Sequence, residues 1–237
     1  MTVTRLTVRA LLLRRRALAL LLPILSVPLF AAIAILRGDT VPDSQAIIVG
    51  RLLVTTVAPL VALVLAATAV GDERETGTIA YLATARIARV RIVAEKAFAS
   101  TIVAAVLMIP AFVALAVLGA HLGVGAGNVL RGIAGTLLVT AAYAAAFTAL
   151  GLVLRRALVA GIVYVLVWEG AIATVAPSAE RVSLAAWGRA ISDGGIVGLQ
   201  PDLQPTLGGL AGAGVLLAVT AGAVALGAWR LTRMDLP

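Results

Sequence analysis

Six stretches of this chain, at 17–36, 51–70, 97–120, 132–154, 157–176 and 208–229, are nearly unbroken hydrocarbon. An α-helix rises about 1.5 Å per residue, so about twenty such residues cross the roughly 30 Å apolar core of a bilayer. With 62% hydrophobic and 13% charged residues, the remainder holds no large soluble domain, and residues 1–237 read as one transmembrane domain. Lipid offers no partner to backbone N–H and C=O groups, and the alternating pattern of a membrane barrel is missing. The spans are therefore expected to be helices, which makes the fold class all-α integral membrane with six transmembrane helices. Pro23, Pro28, Pro59 and Pro110 fall inside the apolar blocks, where kinks are expected rather than breaks.

The basic residues set the orientation. Placing both termini inside puts Arg5, Arg9, Arg14, Arg15, Arg16, Arg74, Arg86, Arg89, Arg91, Lys96, Arg155, Arg156, Arg230 and Arg233 on one side, 14 of the 19 Lys and Arg. Arg37, Arg51, Arg131, Arg181 and Arg189 remain on the other. This positive-inside bias makes both termini and the loop at 71–96 cytoplasmic. The net charge of +8 reads as topology and contact with membrane lipids. Nucleic acid is excluded as a partner, since the charges are scattered over short segments with no soluble fold to present them. The basic N-terminus followed by an apolar block resembles a secretory signal, but the block is too long and five more follow, so it reads as an uncleaved first span. Residues 1–16 form a cytoplasmic N-terminus, either an amphipathic turn or three in the interface or a plain basic anchor. Without cysteine there is no disulfide, thiolate metal site or cysteine nucleophile.

Catalysis finds no support. The sole histidine, His121, falls in the short outer loop HLGVGAGN, and the spans hold no serine–histidine pair at membrane depth. Every aspartate lies in a loop or tail, and the only lysine, Lys96, follows Glu95, so there is no phosphate-binding loop. The chain is not expected to be an enzyme, and it carries no metal or cofactor site of its own.

The one long polar interruption is ERETGTIAYLAT at 73–84, continued by ARIARVRIVAEK to Lys96. Glu73 and Glu75 precede Gly77 and Thr78, and an apolar stretch from Ile79 to Thr84 contains Tyr81. Thr76 or Thr78 can cap a short helix whose dipole favours the acids, while Gly77 permits a sharp turn out of the second span. Arg86, Arg89, Arg91 and Lys96 then lead back, with Ile87, Val90, Val93 and Ala94 as an apolar stripe at helical spacing. Spacing alone fits a docking helix and a solvated amphipathic connection equally.

The order Glu75, Gly77, Thr78, Ile79, Arg89, Lys96 resembles the signature of the ABC-2 type transporter permeases, six-span subunits of bacterial ABC exporters. Arg86 stands where that family usually has proline, and Glu95 where glycine usually precedes the lysine. The resemblance implies a type V exporter-like half-transporter with a cytoplasmic coupling helix between spans 2 and 3. It further implies a separate ABC ATP-binding subunit, which holds the ATP and magnesium, and a bacterial plasma membrane location. The expected coupling residues are Glu73, Glu75, Gly77, Thr78, Ile79, Tyr81, Arg89 and Lys96. Half-transporters pair, so a homodimer or a sister permease is also implied.

Three further features bear on the site. Small residues at 208 and 212 in GGLAGAG permit close helix approach, or simply follow the Ala- and Gly-rich composition. The 177–207 segment reads as an extracellular loop with short interfacial or re-entrant helices near Leu184–Ile191 and Ile196–Leu199. Glu169, between Trp168 and Gly170, is an acid at membrane depth. It either forms a gate or substrate path with Trp168 and Tyr143, or is a structural acid bonded to Thr140, Tyr143 or Arg131. An exporter moving an amphipathic drug, lipid or peptide is the first functional expectation. A secondary transporter or channel using Glu169, or a membrane scaffold, is the alternative.

Overall fold

The computed structural model describes residues 20–37, 48–75, 88–154, 156–173, 179, 181–193 and 208–233, and of residues 37, 72–75 and 193 the backbone alone. Every regular element among them is helical. In chain order these are α1 (Leu21–Arg37), a π-helical turn π1 (Leu53–Val57), α2 (Ala58–Glu75), α3 (Arg89–Leu107), α4 (Ile109–His121), α5 (Ala126–Val153), α6 (Ala157–Val163), a second π-helical segment π2 (Tyr164–Ile172), α7 (Leu184–Asp193) and α8 (Gly209–Thr232).

Among the described residues three helical runs are long and apolar enough to cross a bilayer: Ile48–Gly71, Ala126–Val153 and Gly209–Thr232. A fourth is the pair α3 and α4, bent by 49° at Met108. Pro110, the second residue of α4, explains the bend, because it lacks an N–H and its ring collides with the carbonyl four residues back. The remaining apolar helices, Leu21–Leu36 and Ala157–Ile172, are shorter. Pro28 is carried inside α1. Pro59 is the second residue of α2, just past π1, where a wider turn takes up the disruption its ring causes.

Helix α5 is the axis of the bundle, with α2, α3, α4, α6, α7 and α8 all packed around it. Its neighbours meet it at small residues: a methyl group on Gly151 would lie 3.1 Å from Val70. Hydroxyls on these helices turn back onto their own backbone, as Thr136 does to Gly132, Thr140 to Thr136 and Thr148 to Ala144. An apolar medium leaves them no other partner, so this is the cheapest way to bury them. In contrast, the spanning part of α8 is mostly uncovered within the chain.

Several boundaries differ from expectation. Helix α2 runs on to Glu75 and α3 begins at Arg89, so both ends of the predicted 71–96 loop are helical, and Lys96 lies two turns inside α3 rather than at its start. His121 is the exposed last residue of α4, not a loop residue. The connection after it turns at Gly123, whose φ of 72° favours glycine. There the Val124 N–H bonds the Gly119 carbonyl and the Gly123 N–H bonds that of Ala120, a Schellman ending.

Candidate functional site

Two clusters carry the polar chemistry of the described residues. The first is the end of the bundle where the loop-flanking helices α2 and α3 meet α5 and α8. Val70, Val93, Leu152 and Leu231 form a separate small core there, and a methyl on Gly227 would lie 3.0 Å from Val93. Lys96 is only 3% exposed, and its ammonium donates to the Ala69 carbonyl of α2 at 3.0 Å. The Arg89 guanidinium donates to the Leu231 carbonyl at 2.7 Å. That carbonyl belongs to the last turn of α8, where no intrahelical N–H remains and the helix dipole favours a cation. Arg233 lies 4.4 Å from the Trp229 ring centre, and Arg91 pairs with Glu95 one turn on.

These contacts place Arg89 and Lys96 within the chain's own packing. Both are engaged within the chain, fixing the start of α3 to α2 and to the end of α8. Of the predicted stripe, Val93 is buried and Val90 is exposed, with Ile92 buried in its place. Glu73 and Glu75 are backbone residues of the last turn of α2. Their side chains, and Gly77, Thr78, Ile79 and Tyr81 altogether, lie outside the described residues, as do residues 1–16 and 196–199.

The second cluster surrounds Glu169, 5% exposed within π2. Oε1 accepts from the Tyr143 hydroxyl at 2.7 Å, the Tyr164 hydroxyl at 3.0 Å and the Leu184 backbone N–H at 3.0 Å. Oε2 accepts from the Ser183 hydroxyl. Four donors can thus face a group whose ionised form only accepts, which satisfies a carboxylate at this depth without a basic partner. Of the partners expected for Glu169, Tyr143 is correct and Thr140 is not, since its hydroxyl is committed to Thr136.

The local backbone explains the geometry. In π2 the i→i+5 closure brings residues five apart onto one face, which is how Tyr164 reaches Glu169. Ser183 is the N-cap of α7: its Oγ accepts the Ala186 N–H at 3.0 Å while its hydroxyl proton goes to Glu169. The carboxylate therefore sits at the positive end of the α7 dipole. Phe147 stacks on Tyr143, with ring centres 5.6 Å apart, and meets Tyr164 edge-on at 6.4 Å.

Helix α7 matches the short helix expected near Leu184–Ile191, and it is packed into the bundle. Leu184, Ala185, Ala186, Ala190 and Ser192 are buried against α5, α8 and π1. Its backbone presses on two glycines. A methyl on Gly135 of α5 would lie 2.8 Å from the Gly188 carbonyl, and one on Gly212 of α8 the same distance from the Trp187 carbonyl. Gly212 thus serves close approach, whereas Gly208 faces open space.

Tyr164 and Ser183 were not singled out from sequence. Ser183, standing before an apolar run, carried a readable N-cap signal. Tyr164 carried none, because five-residue spacing means nothing on an α-helix. Trp168 is next to the acid, but its indole nitrogen has no hydrogen-bond partner among the described residues.

Comparison with curated proteins finds no match. The family model described as "ABC-2 family transporter protein" matches residues 11–176. That stretch holds α1 to π2, the whole loop between α2 and α3, and Glu169, and it ends before α7. With most of its length matched, and with spanning helices arranged around α5, the chain belongs to the ABC-2 transporter family as a multi-pass membrane permease.

Proposed function

We propose that this chain is the membrane subunit of an ATP-driven exporter, with six spans and a coupling helix in the loop between α2 and α3. Energy comes from a separate ABC ATP-binding subunit that docks on that loop through Glu73, Glu75, Gly77, Thr78, Ile79 and Tyr81. The permease pairs with a second copy or a sister permease and moves an amphipathic drug, lipid or peptide. It resides in a bacterial plasma membrane with the loop and both termini cytoplasmic, as the 14 to 5 partition of basic residues suggests.

The observation that carries this reading is the pair of ties at the loop's base, Lys96 to Ala69 and Arg89 to Leu231. A loop whose return helix is bonded to both α2 and the end of α8 can pass a push into the bundle. A loop serving only to connect two spans would need neither bond. The ion-coupled alternative depends on Glu169, whose lone pairs are taken up by four donors of the chain itself. That is the environment of a structural acid.

Purification of the tagged chain in mild detergent tests the proposal. An ABC ATP-binding subunit is expected to co-purify in stoichiometric amount, and to be lost when residues 76–84 are replaced by a Gly-Ser segment. A permease that transports without such a subunit overturns it.

A further inference from the structure

The span made of α6 and π2 is held in two different ways along its length. Its first half is seated by packing: Gly161 lies so close to the fully buried Leu63 of α2 that a methyl group there would collide with the leucine. Its second half adds polar contacts to packing: of the nine residues of π2, Val165, in the main core, and Glu169 are buried, while Leu166, Val167 and Ile172 point outward. The change from α- to π-helical closure falls between Val163 and Tyr164, where the two halves join.

Glu169 is the polar fastening of that second half. Its oxygens bond α5 through Tyr143 and the start of α7 through Ser183 and Leu184, so a single carboxylate joins three elements. Behind it lie the contacting rings of Tyr143, Phe147 and Tyr164. Hydrogen bonds from fixed donors are short-ranged and break together when the acceptor moves, whereas the packed half has no comparable release.

We infer that Glu169 is a positioning residue, a clasp whose opening swings π2 away from α5 and α7 about the Val163–Tyr164 junction while α6 stays seated. The opening uncovers the buried aromatic face of Tyr143 and Phe147, a surface suited to the apolar part of an amphiphile. This rests on the permease reading for its purpose but not for its test, which needs neither an ATPase nor a known substrate.

The chain contains no cysteine, so nitroxide labels can be placed in pairs at exposed positions. One pair joins Leu166 of π2 to Leu130 of α5, and the other joins Leu158 of α6 to Leu130. Distances are read by pulsed electron paramagnetic resonance in lipid nanodiscs, in the parent chain and with Glu169→Leu or Glu169→Gln added. In Glu169→Leu the 166–130 distribution is expected to broaden and gain a longer population, with 158–130 unchanged. Glu169→Gln is expected to restore the parent 166–130 distribution in large part, because the amide oxygen still accepts and its N–H₂ can donate to Ser183 Oγ. The clasp is overturned if Glu169→Leu leaves 166–130 unchanged. It is equally overturned if 158–130 broadens as much, which would make Glu169 a general structural residue. Failure of an ATPase to co-purify would refute the exporter reading and leave these distances untouched.

Discussion

Replacing Gly135 by alanine puts the packing of α7 against α5 to a quantitative test. The new methyl would stand 2.5 Å from Ser192 Oγ, 3.2 Å from Ser192 N and 2.8 Å from the Gly188 carbonyl oxygen. The serine hydroxyl can rotate away, but the carbonyl belongs to the α7 backbone, about 0.6 Å inside ordinary contact distance. Helix α7 is also backbone-close to α8 at Gly212, so it cannot back off from α5 without sliding along α8. Overpacking costs about 1–3 kcal/mol, toward the upper end where backbone must move. Alanine recovers about 1 kcal/mol over glycine inside a helix, which leaves a net loss of about 1–2 kcal/mol. Gly214 of α8 has nothing within 4 Å, so Gly214→Ala keeps only the gain. At about 2–4 °C per kcal/mol, Gly135→Ala lowers the midpoint of thermal unfolding by about 2–8 °C and Gly214→Ala raises it by about 2–4 °C. Both are measured in one detergent by tryptophan fluorescence, to which Trp187 on α7 contributes locally. Adding Ser192→Ala to Gly135→Ala is expected not to restore stability, because the carbonyl is the obstacle. Equal shifts for the two glycine variants, or full rescue by Ser192→Ala, would refute the argument.

Topology is checked by single cysteines: position 193 is expected to react with an impermeant thiol reagent applied to intact cells and position 78 is not, and labelling at 78 would reverse the orientation. Glu75→Ala and Tyr81→Ala are expected to weaken attachment of the ATP-binding subunit or to separate hydrolysis from transport, since a docked helix relies on a few anchors; normal coupling in both would return the loop to a plain connection. Glu169→Gln is expected to keep ATP-dependent transport in liposomes without an ion gradient, whereas Glu169→Leu strands the Tyr143, Tyr164, Ser183 and Leu184 donors at about 1–3 kcal/mol each and loses more. Loss of transport in the Gln variant with ATPase activity intact would put the charge itself on the substrate path.

The helical class and the positions of the apolar helices were legible in the sequence because lipid allows so few backbone solutions. Each predicted block coincides with an apolar helix, although among the described residues three helical runs, or four with the bent pair, reach spanning length. Family membership was legible from six residues around the loop. The Glu169 cluster was half legible: the acid and, as one of three candidate partners, Tyr143 could be named from sequence, but Ser183 and Leu184 come from a segment whose close packing depends on two distant glycines. Nothing local to Gly135 or Gly212 distinguishes them from Gly208 or Gly214, since the difference lies in what faces them. The sequence points to Lys96 and Arg89 as residues that couple to a partner, whereas their bonds to Ala69 and Leu231 are not legible in it, because both acceptors are backbone carbonyls and leave no trace in side-chain identity.

The π-helical segment has a consequence for chain length. Tyr164 and Glu169 face each other because they are five apart on an i→i+5 helix; shorten the interval by one residue and the same pair is four apart, the facing distance of an ordinary α-helix. A one-residue deletion at Leu166 or Val167 would therefore keep the tyrosine–carboxylate bond, whereas Tyr164→Phe or Glu169→Leu would break it. A relative of this protein that lacks one residue here needs no compensating change at the acid. Alignments that read such a gap as loss of the site would misplace it.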